Sequence, residues 1–302
     1  MKMSTKLRAE LANGMVVAPS CFDALSARLA EMTGFRAVHL TGLGVEAAQL
    51  GAPDLGLLTM TEIARIASRI AEAISIPILA DIDTGFGGVL NVGRTIREME
   101  RAGVAGVHIE DQALPKHCPM LVGREVVSRG EAIDRIKAAL DARTDADFVV
   151  VARTDADIVS IDEVVERCNL YLEAGADLVM PVTSVVNGRS YFDLSSNEQM
   201  GLLADLPRRI QGPVMHMGSG PPKGYTNHDL TQAGYALTMS VMSAVGAAAN
   251  AIAAIYREIM ETGTDAGYIA AQPGPFFDPV ALMKAARLDE FVAIEKRYGH
   301  SL

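Results

Sequence analysis

Three carboxylates at the ends of two apolar runs carry the most readable chemistry in this sequence. Residues 76–80 are short, apolar and partly β-branched, opening around Pro77, so they read as a buried strand. Asp81 and Asp83 follow two residues apart, and a strand's period of two puts them on one side. Gly85, Gly87 and Gly88 then allow a tight turn and close approach to a ligand. A second run at 106–110 ends the same way, with His108 and Glu110 on a shared side. Acids converging at strand ends make a hard-cation site with oxygen ligands, Mg²⁺ first and Mn²⁺ as its alternative. The competing reading is that Asp81 and Asp83 cap the helices that follow.

The elements that must position these residues recur along the whole chain. Apolar strand-like runs start near Val16, Ala37, Pro77, Gly106, Phe148, Asp177, Pro213 and Tyr235. A short helix is expected over residues 5–13, ending at Gly14. Stretches with helical spacing lie between the runs, as over 61–74 (Ile63, Ile66, Ala67, Ile70) and 92–102 (Ile96, Met99). Residues 162–174 close on Gly175 as a helix does on its C-cap. Eight strands alternating with helices, without a break in composition, predict one (β/α)₈ TIM-type barrel over residues 1–302. An open doubly wound sheet is the rival, but no Gly-x-Gly-x-x-Gly follows the first strand. In a barrel the chemistry sits at the C-terminal strand ends, the shared address of Asp81, Asp83, Glu110, Arg153, Asp155 and His216. Residues 111–127 form a loop too long for an ordinary connection. From about residue 244 a helical extension follows: an Ala-rich helix to 261, a break at Pro273-Gly-Pro, and a last helix over 279–298 suited to packing on a neighbouring subunit.

Composition narrows the classes. The 302 residues are nearly half apolar, 21% charged and carry a net charge of −10. This excludes a disordered chain and argues against nucleic acid or an anionic membrane as partner. No apolar run is long enough to span a bilayer, and the first residues lack the apolar core of a signal peptide, so a cytoplasmic protein is expected. Cys21, Cys118 and Cys168 are far apart and odd in number, which indicates neither zinc nor a disulfide framework.

Several motifs together resemble the isocitrate lyase / phosphoenolpyruvate mutase superfamily. They are Ala37-Val-His-Leu-Thr-Gly-Leu-Gly, Leu50-Gly-Ala-Pro-Asp54-Leu-Gly, Ala80-Asp-Ile-Asp-Thr-Gly-Phe-Gly, His108-Ile-Glu-Asp-Gln, Pro115-Lys-His-Cys, Val151-Ala-Arg-Thr-Asp-Ala and Ala174-Gly-Ala-Asp. The similarity runs from about Val17 to Pro181 and resumes at Leu288-Asp-Glu and Tyr298-Gly. It implies a (β/α)₈ barrel, Mg²⁺, a C-terminal helix exchanged between subunits, usually a tetramer, and bond-making or bond-breaking next to a 2-oxo or 2-hydroxy acid. By the resemblance the metal-site acids fall on Asp81, Asp83 and Glu110, and the loop that holds the substrate carboxylate on Thr41-Gly42-Leu43. Arg153, His108 and His216 become substrate-binding candidates, and Asp54 a residue near the reacting centre. Unaided, Arg153 reads equally as a partner of Asp155 or Asp177, and Asp54 as an Asx turn.

In the same family a loop over the substrate carries lysine, a basic residue and cysteine, here Lys116-His117-Cys118. Flanking Lys116 and His117 are expected to lower the thiol pKa, so that Cys118 exchanges a proton with a carbanion; the alternative is an inert loop cysteine. Cys21 and Cys168 read as core. The sequence departs from the family at Pro119-Met120, at Val182 where a glutamate is expected, and at His216 where an asparagine is. Val182, Met217 and Met120 are therefore expected to form an apolar wall, favouring alkyl-substituted malate-like acids over isocitrate. Residues 218–224 read as a turn. The expected function is Mg²⁺-dependent C–C cleavage of a 2-hydroxy or 2-oxo dicarboxylic acid. A phosphonomutase or carboxyphosphonoenolpyruvate-type mutase, an oxaloacetate decarboxylase, or a non-catalytic barrel remain the alternatives.

Overall fold

The computed structural model describes residues 1–300. Eight parallel strands close on themselves: β1 Val16–Cys21, β2 Val38–Leu40, β3 Ile78–Asp81, β4 Gly106–Glu110, β5 Val149–Thr154, β6 Leu178–Pro181, β7 Val214–His216 and β8 Tyr235–Ser240. Each begins within a residue of an expected start. Closure is made where Val16 pairs with Leu237 and Ala18 with Met239.

Pattern explains the intervening helices. Helix Met60–Ala73 starts with a reciprocal cap between Thr59 and Glu62 and buries Ile63, Ile66, Ala67 and Ile70 against the barrel. Helix Val89–Ala102 stops at Gly103, whose φ of 87° favours glycine. Helix Ile161–Glu173 is capped by Ser160.

Two hydrophobic layers result. Outward-facing strand residues such as Ile78, Ala80, Val107, Val150 and Val179 meet the helices. The inward ones form a separate core of Val16, Ala18, Leu79, Val149, Val151, Leu178, Met180, Leu237 and Met239, which Leu7 of the first helix, Met3–Ala12, joins from below. That helix is fastened by Ser4 to Asp145 (2.7 Å) and by Arg8 to Asp177 (2.8 Å). The floor is thereby closed, and the C-terminal strand ends are left as the open mouth.

Beyond the barrel, helix Ser243–Thr262 buries none of its residues. The single last helix expected over 279–298 is two, Pro279–Ala285 and Leu288–Arg297, because Arg287 turns into the left-handed region at φ 72°. Residues 301–302 of the expected extension lie outside the described residues. A two-stranded ribbon (Val185–Val186 with Arg189–Ser190) and helix Ser196–Arg209 fill the stretch after β6. Among the described residues no helix is long and apolar enough to cross a membrane.

Candidate active site

The inward face of the barrel changes character as the strands rise. On β3 Leu79 gives way to Asp81, on β4 Gly106 to His108 and Glu110, and on β5 Val149 and Val151 to Arg153. Ser20 of β1 and His39 of β2 obey the same alternation. The result is a buried polar ring around a cavity of about 330 Å³. Its lining includes Thr41, Leu43, Asp54, Asp81, His108, Cys118, Arg153 and His216. Gly42, Asp83, Glu110 and Lys116 of the expected set do not line it.

Charge organises the ring. Lys116 Nζ lies 2.6 Å from Asp54 Oδ1 and 2.5 Å from Asp83 Oδ1. Arg153 reaches Glu110 Oε2 (2.8 Å) and both oxygens of Asp155 (2.8 and 3.0 Å). Asp177 binds Arg8 and Arg143 instead. Asp81 accepts from the backbone N–H groups of Asp83 (3.0 Å) and of Gly42 (3.3 Å), the first residue of the short helix Gly42–Val45, and does not cap helix Val89–Ala102, which follows it. A Cβ on Gly42 would sit 2.9 Å from Asp81 Oδ2, which is why glycine lies against this carboxylate. Gly56 does the same for Lys116, with φ +70° and 2.9 Å to its Cγ.

These surroundings set protonation. Burial opposes the Asp81 charge, yet the fields of His108, Lys116 and Arg153 hold it below the usual carboxylate range. Burial brings His108 down to about 4, leaving it neutral near pH 7, so Lys116 and Arg153 supply that field. Burial and then Asp81 push Asp83 up to about 6 against the pull of Lys116, and burial drives Glu110 well above its ordinary value. Burial also works against the Lys116 charge, but Glu110, Asp83, Asp81 and Asp54 outweigh it and keep the ammonium protonated.

The thiol departs from expectation. Burial and then Asp54 raise the Cys118 pKa, with the Met120 N–H and Arg153 opposing. Lys116 is committed to Asp54 and Asp83, so it does not acidify the thiol. Cys118 is consequently a protonated group at neutral pH. Its backbone N–H donates to Asp54 O (3.2 Å), and the Asp54 carboxylate neighbours the thiol. Asp54 forms no Asx turn; its loop is gripped by buried Glu46, which accepts from the N–H groups of Leu55 (2.9 Å), Leu57 (2.7 Å) and Leu58 (3.3 Å). Cys21 and Cys168 are core residues.

Other expectations shift. Of the N–H groups on Thr41–Leu43, that of Thr41 goes to Cys21 O (3.1 Å) and that of Gly42 to Asp81, so Leu43 is left to face a ligand. Val182 is buried outside the cavity, because Pro181 ends β6 and the strand's alternation lapses there. Thr183 and Ser184 line that wall, beside Met217, Met120, Tyr191 and Phe192. Residues 218–224 form a cavity-lining turn, closed by Tyr225 N–H to Pro222 O (3.0 Å). Sequence reasoning passed over His39, whose Nδ1 shares a hydrogen bond with Ser20 Oγ (2.9 Å) and whose Nε2 shares one with His108 Nε2 (2.8 Å). Its inward position between Val38 and Leu40 was the available signal. His216 Nδ1 pairs with Thr238 Oγ1 (2.9 Å).

Comparison with known proteins agrees with this architecture. A 2,3-dimethylmalate lyase of Eubacterium barkeri is 50% identical over 181 residues, covering 59% of this chain and 63% of that protein. The match thus spans under two thirds of that relative's length. An oxaloacetate acetylhydrolase in complex with 3,3-difluorooxalacetate superposes with a TM-score of 0.86 at 30% identity, covering 99% of this chain and 98% of that one. A phosphonopyruvate hydrolase in complex with oxalate and Mg²⁺ does so with a TM-score of 0.83 at 29% identity, covering 99% and 100%. The sequence model of phosphoenolpyruvate phosphomutase matches residues 7–260, and with it the chain belongs to the phosphoenolpyruvate mutase / isocitrate lyase superfamily.

Proposed function

We propose that this chain is a Mg²⁺-dependent carbon–carbon lyase of a 2-hydroxy or 2-oxo dicarboxylic acid, releasing a 2-oxo acid. The observation that carries the reading is one cavity lined at once by Asp81, Arg153, Asp54 and the protonated Cys118. The names of the relatives support the same class of substrate and bond.

The acid cluster fits a hard divalent cation. Asp54, Asp81, Asp83, Glu110 and Asp155 outnumber Lys116 and Arg153, and Glu110 Oε1 is buried without a partner while its Oε2 and Asp83 Oδ1 meet only the cations Arg153 and Lys116. Among the described residues no three His, Cys, Asp or Glu side chains stand close enough to enclose a metal by themselves. Mg²⁺, or Mn²⁺ in its place, keeps several waters, and acids standing further apart can hold it through them. Asp81, Asp83 and Glu110 would hold it; when bound, it supplies Lewis-acid stabilisation of negative charge on the substrate's 2-oxygen. The related phosphonopyruvate hydrolase complex with oxalate and Mg²⁺ supports this assignment.

The chain's own residues do the rest. Arg153 and the Leu43 N–H receive the substrate carboxylate, with His108 and His216 beside it. Asp54, fixed by Lys116 and the Glu46-pinned loop, accepts the hydroxyl proton. Cys118 donates its proton to the carbanion as the C–C bond breaks. Asp54 then returns a proton to the adjacent thiolate, and both groups are restored. The substrate's remaining end lies against Met217 and Met120, which suit alkyl groups, with the Thr183 and Ser184 hydroxyls as the polar part of that wall.

The apolar side chains left exposed after residue 242, among them Tyr256, Met260, Phe291 and Tyr298, suit burial against a second copy in a homotetramer. Incubation with Mg²⁺ and a panel of hydroxy-diacids, oxaloacetate and phosphonopyruvate, with products read by NMR, tests the function. Cleavage of a hydroxy-diacid to a 2-oxo acid supports it; turnover of phosphonopyruvate alone replaces it with the mutase or hydrolase reading.

A further inference from the structure

The loop between β4 and helix Arg129–Ala142 carries Lys116 and Cys118, and buried side chains outside the cavity lining hold it at both ends. Near its start, Gln112 grips the His117 backbone from two sides. Its Oε1 accepts from His117 N (2.9 Å) and its Nε2 donates to His117 O (2.9 Å), with a further bond to Asp155 Oδ1 (3.1 Å). Near its end, Arg124 donates through Nη1 to Asp155 Oδ1 (3.0 Å) and Asp157 Oδ1 (2.8 Å). Through Nη2 it donates to Asp157 Oδ2 (3.3 Å) and Ser184 Oγ (2.7 Å). Ser184 Oγ and the Val185 N–H both donate to Asp157 Oδ2 (2.7 and 2.9 Å). Asp155 is shared with Arg153, so the loop and the carboxylate-receiving arginine hang on one side chain.

We propose that Arg124 is a positioning residue, the latch that holds the Cys118 loop over the cavity. Its planar fork meets carboxylates after β5 and a hydroxyl after β6, and thereby joins three successive strand-end segments. None of these contacts belongs to the barrel ladder or to the hydrophobic layers. Losing them frees the loop while the strands that bear Asp81, Glu110 and Arg153 stay in place. Asp155 links the latch to the site, because Arg153 must keep its orientation for the loop to keep its anchor. The kcat part of this inference rests on the lyase reading; the loop-position part does not.

The test compares wild type with Arg124→Met, Arg124→Lys and Ser184→Ala. Alkylation by iodoacetamide reports loop position, since Cys21 and Cys168 are in the core, with Cys118→Ser as the blank. Arg124→Met is expected to alkylate about tenfold faster as the loop opens, and Mg²⁺ with oxalate to protect wild type far better than the variant. On the acid that wild type cleaves, kcat should fall about a hundredfold with KM little changed, since small displacements of catalytic groups cost that much. Arg124→Lys, keeping the charge without the fork, should lie between. Unchanged alkylation in a folded variant, or a KM that rises in step with the fall in kcat, overturns the proposal. If Arg124→Met does not fold, Ser184→Ala decides: faster alkylation supports the latch and an unchanged rate overturns it. Faster alkylation with no turnover of any diacid by wild type would leave the latch standing and remove the lyase reading.

Discussion

The two halves of the cavity are built on different principles. At the ends of β2 to β5, His39, Asp81, His108 and Arg153 are placed by strand register, and hydrogen bonds and ion pairs with buried neighbours hold them. At the ends of β6 to β8, Thr183, Ser184, Tyr191, Phe192 and Met217 come from segments that have left the strands. Register placement gives precision where charge must be held. Loop placement leaves freedom where only a substituent is accommodated. Changes in the first half should therefore act on chemistry, and changes in the second on substrate choice or stability.

The largest effect is expected at Asp83. It adopts φ 47°, so asparagine is the tolerable replacement. Asp83→Asn should abolish turnover while far-UV circular dichroism stays native; retained activity would remove Asp83 from the metal site. Next comes Cys118→Ser, which keeps size but makes a poorer proton donor, and should slow cleavage on the order of a hundredfold with far less effect on binding. An unaltered rate would reduce Cys118 to a lining residue.

These two residues also show what a sequence discloses. All eight strand starts were legible because strand pattern is local, but Asp83 lies past the end of β3 at φ 47°, where the period of two that set it beside Asp81 no longer runs. The thiol's protonation was read with the wrong sign. Adjacency in sequence put Lys116 beside Cys118, but the fold spends that ammonium on Asp54 and Asp83, which are distant in sequence. Val182 failed for a related reason, since the alternation that located Arg153 does not extend past Pro181. Arg124 carried no signal, and Gln112 none beyond its place in the His108-Ile-Glu-Asp-Gln motif, because their partners Asp155 and Asp157 lie in another strand-end segment. The split at Arg287 was likewise silent, as no glycine or proline marks it.

In the second half, His216 gives a test by pH. Burial brings it down to about 4, below an unfolded value near 6.5. With the folded pKa depressed, the neutral form is the native one, so its contribution is complete above about pH 6.5 and is lost as pH falls toward 4. Between pH 7 and 4.5, urea unfolding of wild type should lose about 2–3 kcal/mol more than that of His216→Asn. A gap between the two that does not change with pH would contradict the buried neutral ring. The smallest effect concerns substrate choice. Two substrate methyl groups placed against Met217 and Met120 are worth about tenfold in kcat/KM over the unsubstituted malate. Met217→Ala should erode that preference, and isocitrate should be a poorer substrate than either; a wild type that prefers isocitrate would overturn the apolar wall.

The central claim joins the acid cluster and the thiol in one metal-dependent cleavage. Its most direct test is the rate of 2-oxo acid release by the wild-type protein from the preferred hydroxy-diacid, first in excess chelator and then after Mg²⁺ is restored. The structure predicts no release in chelator and full recovery with Mg²⁺. Undiminished release in chelator would contradict it.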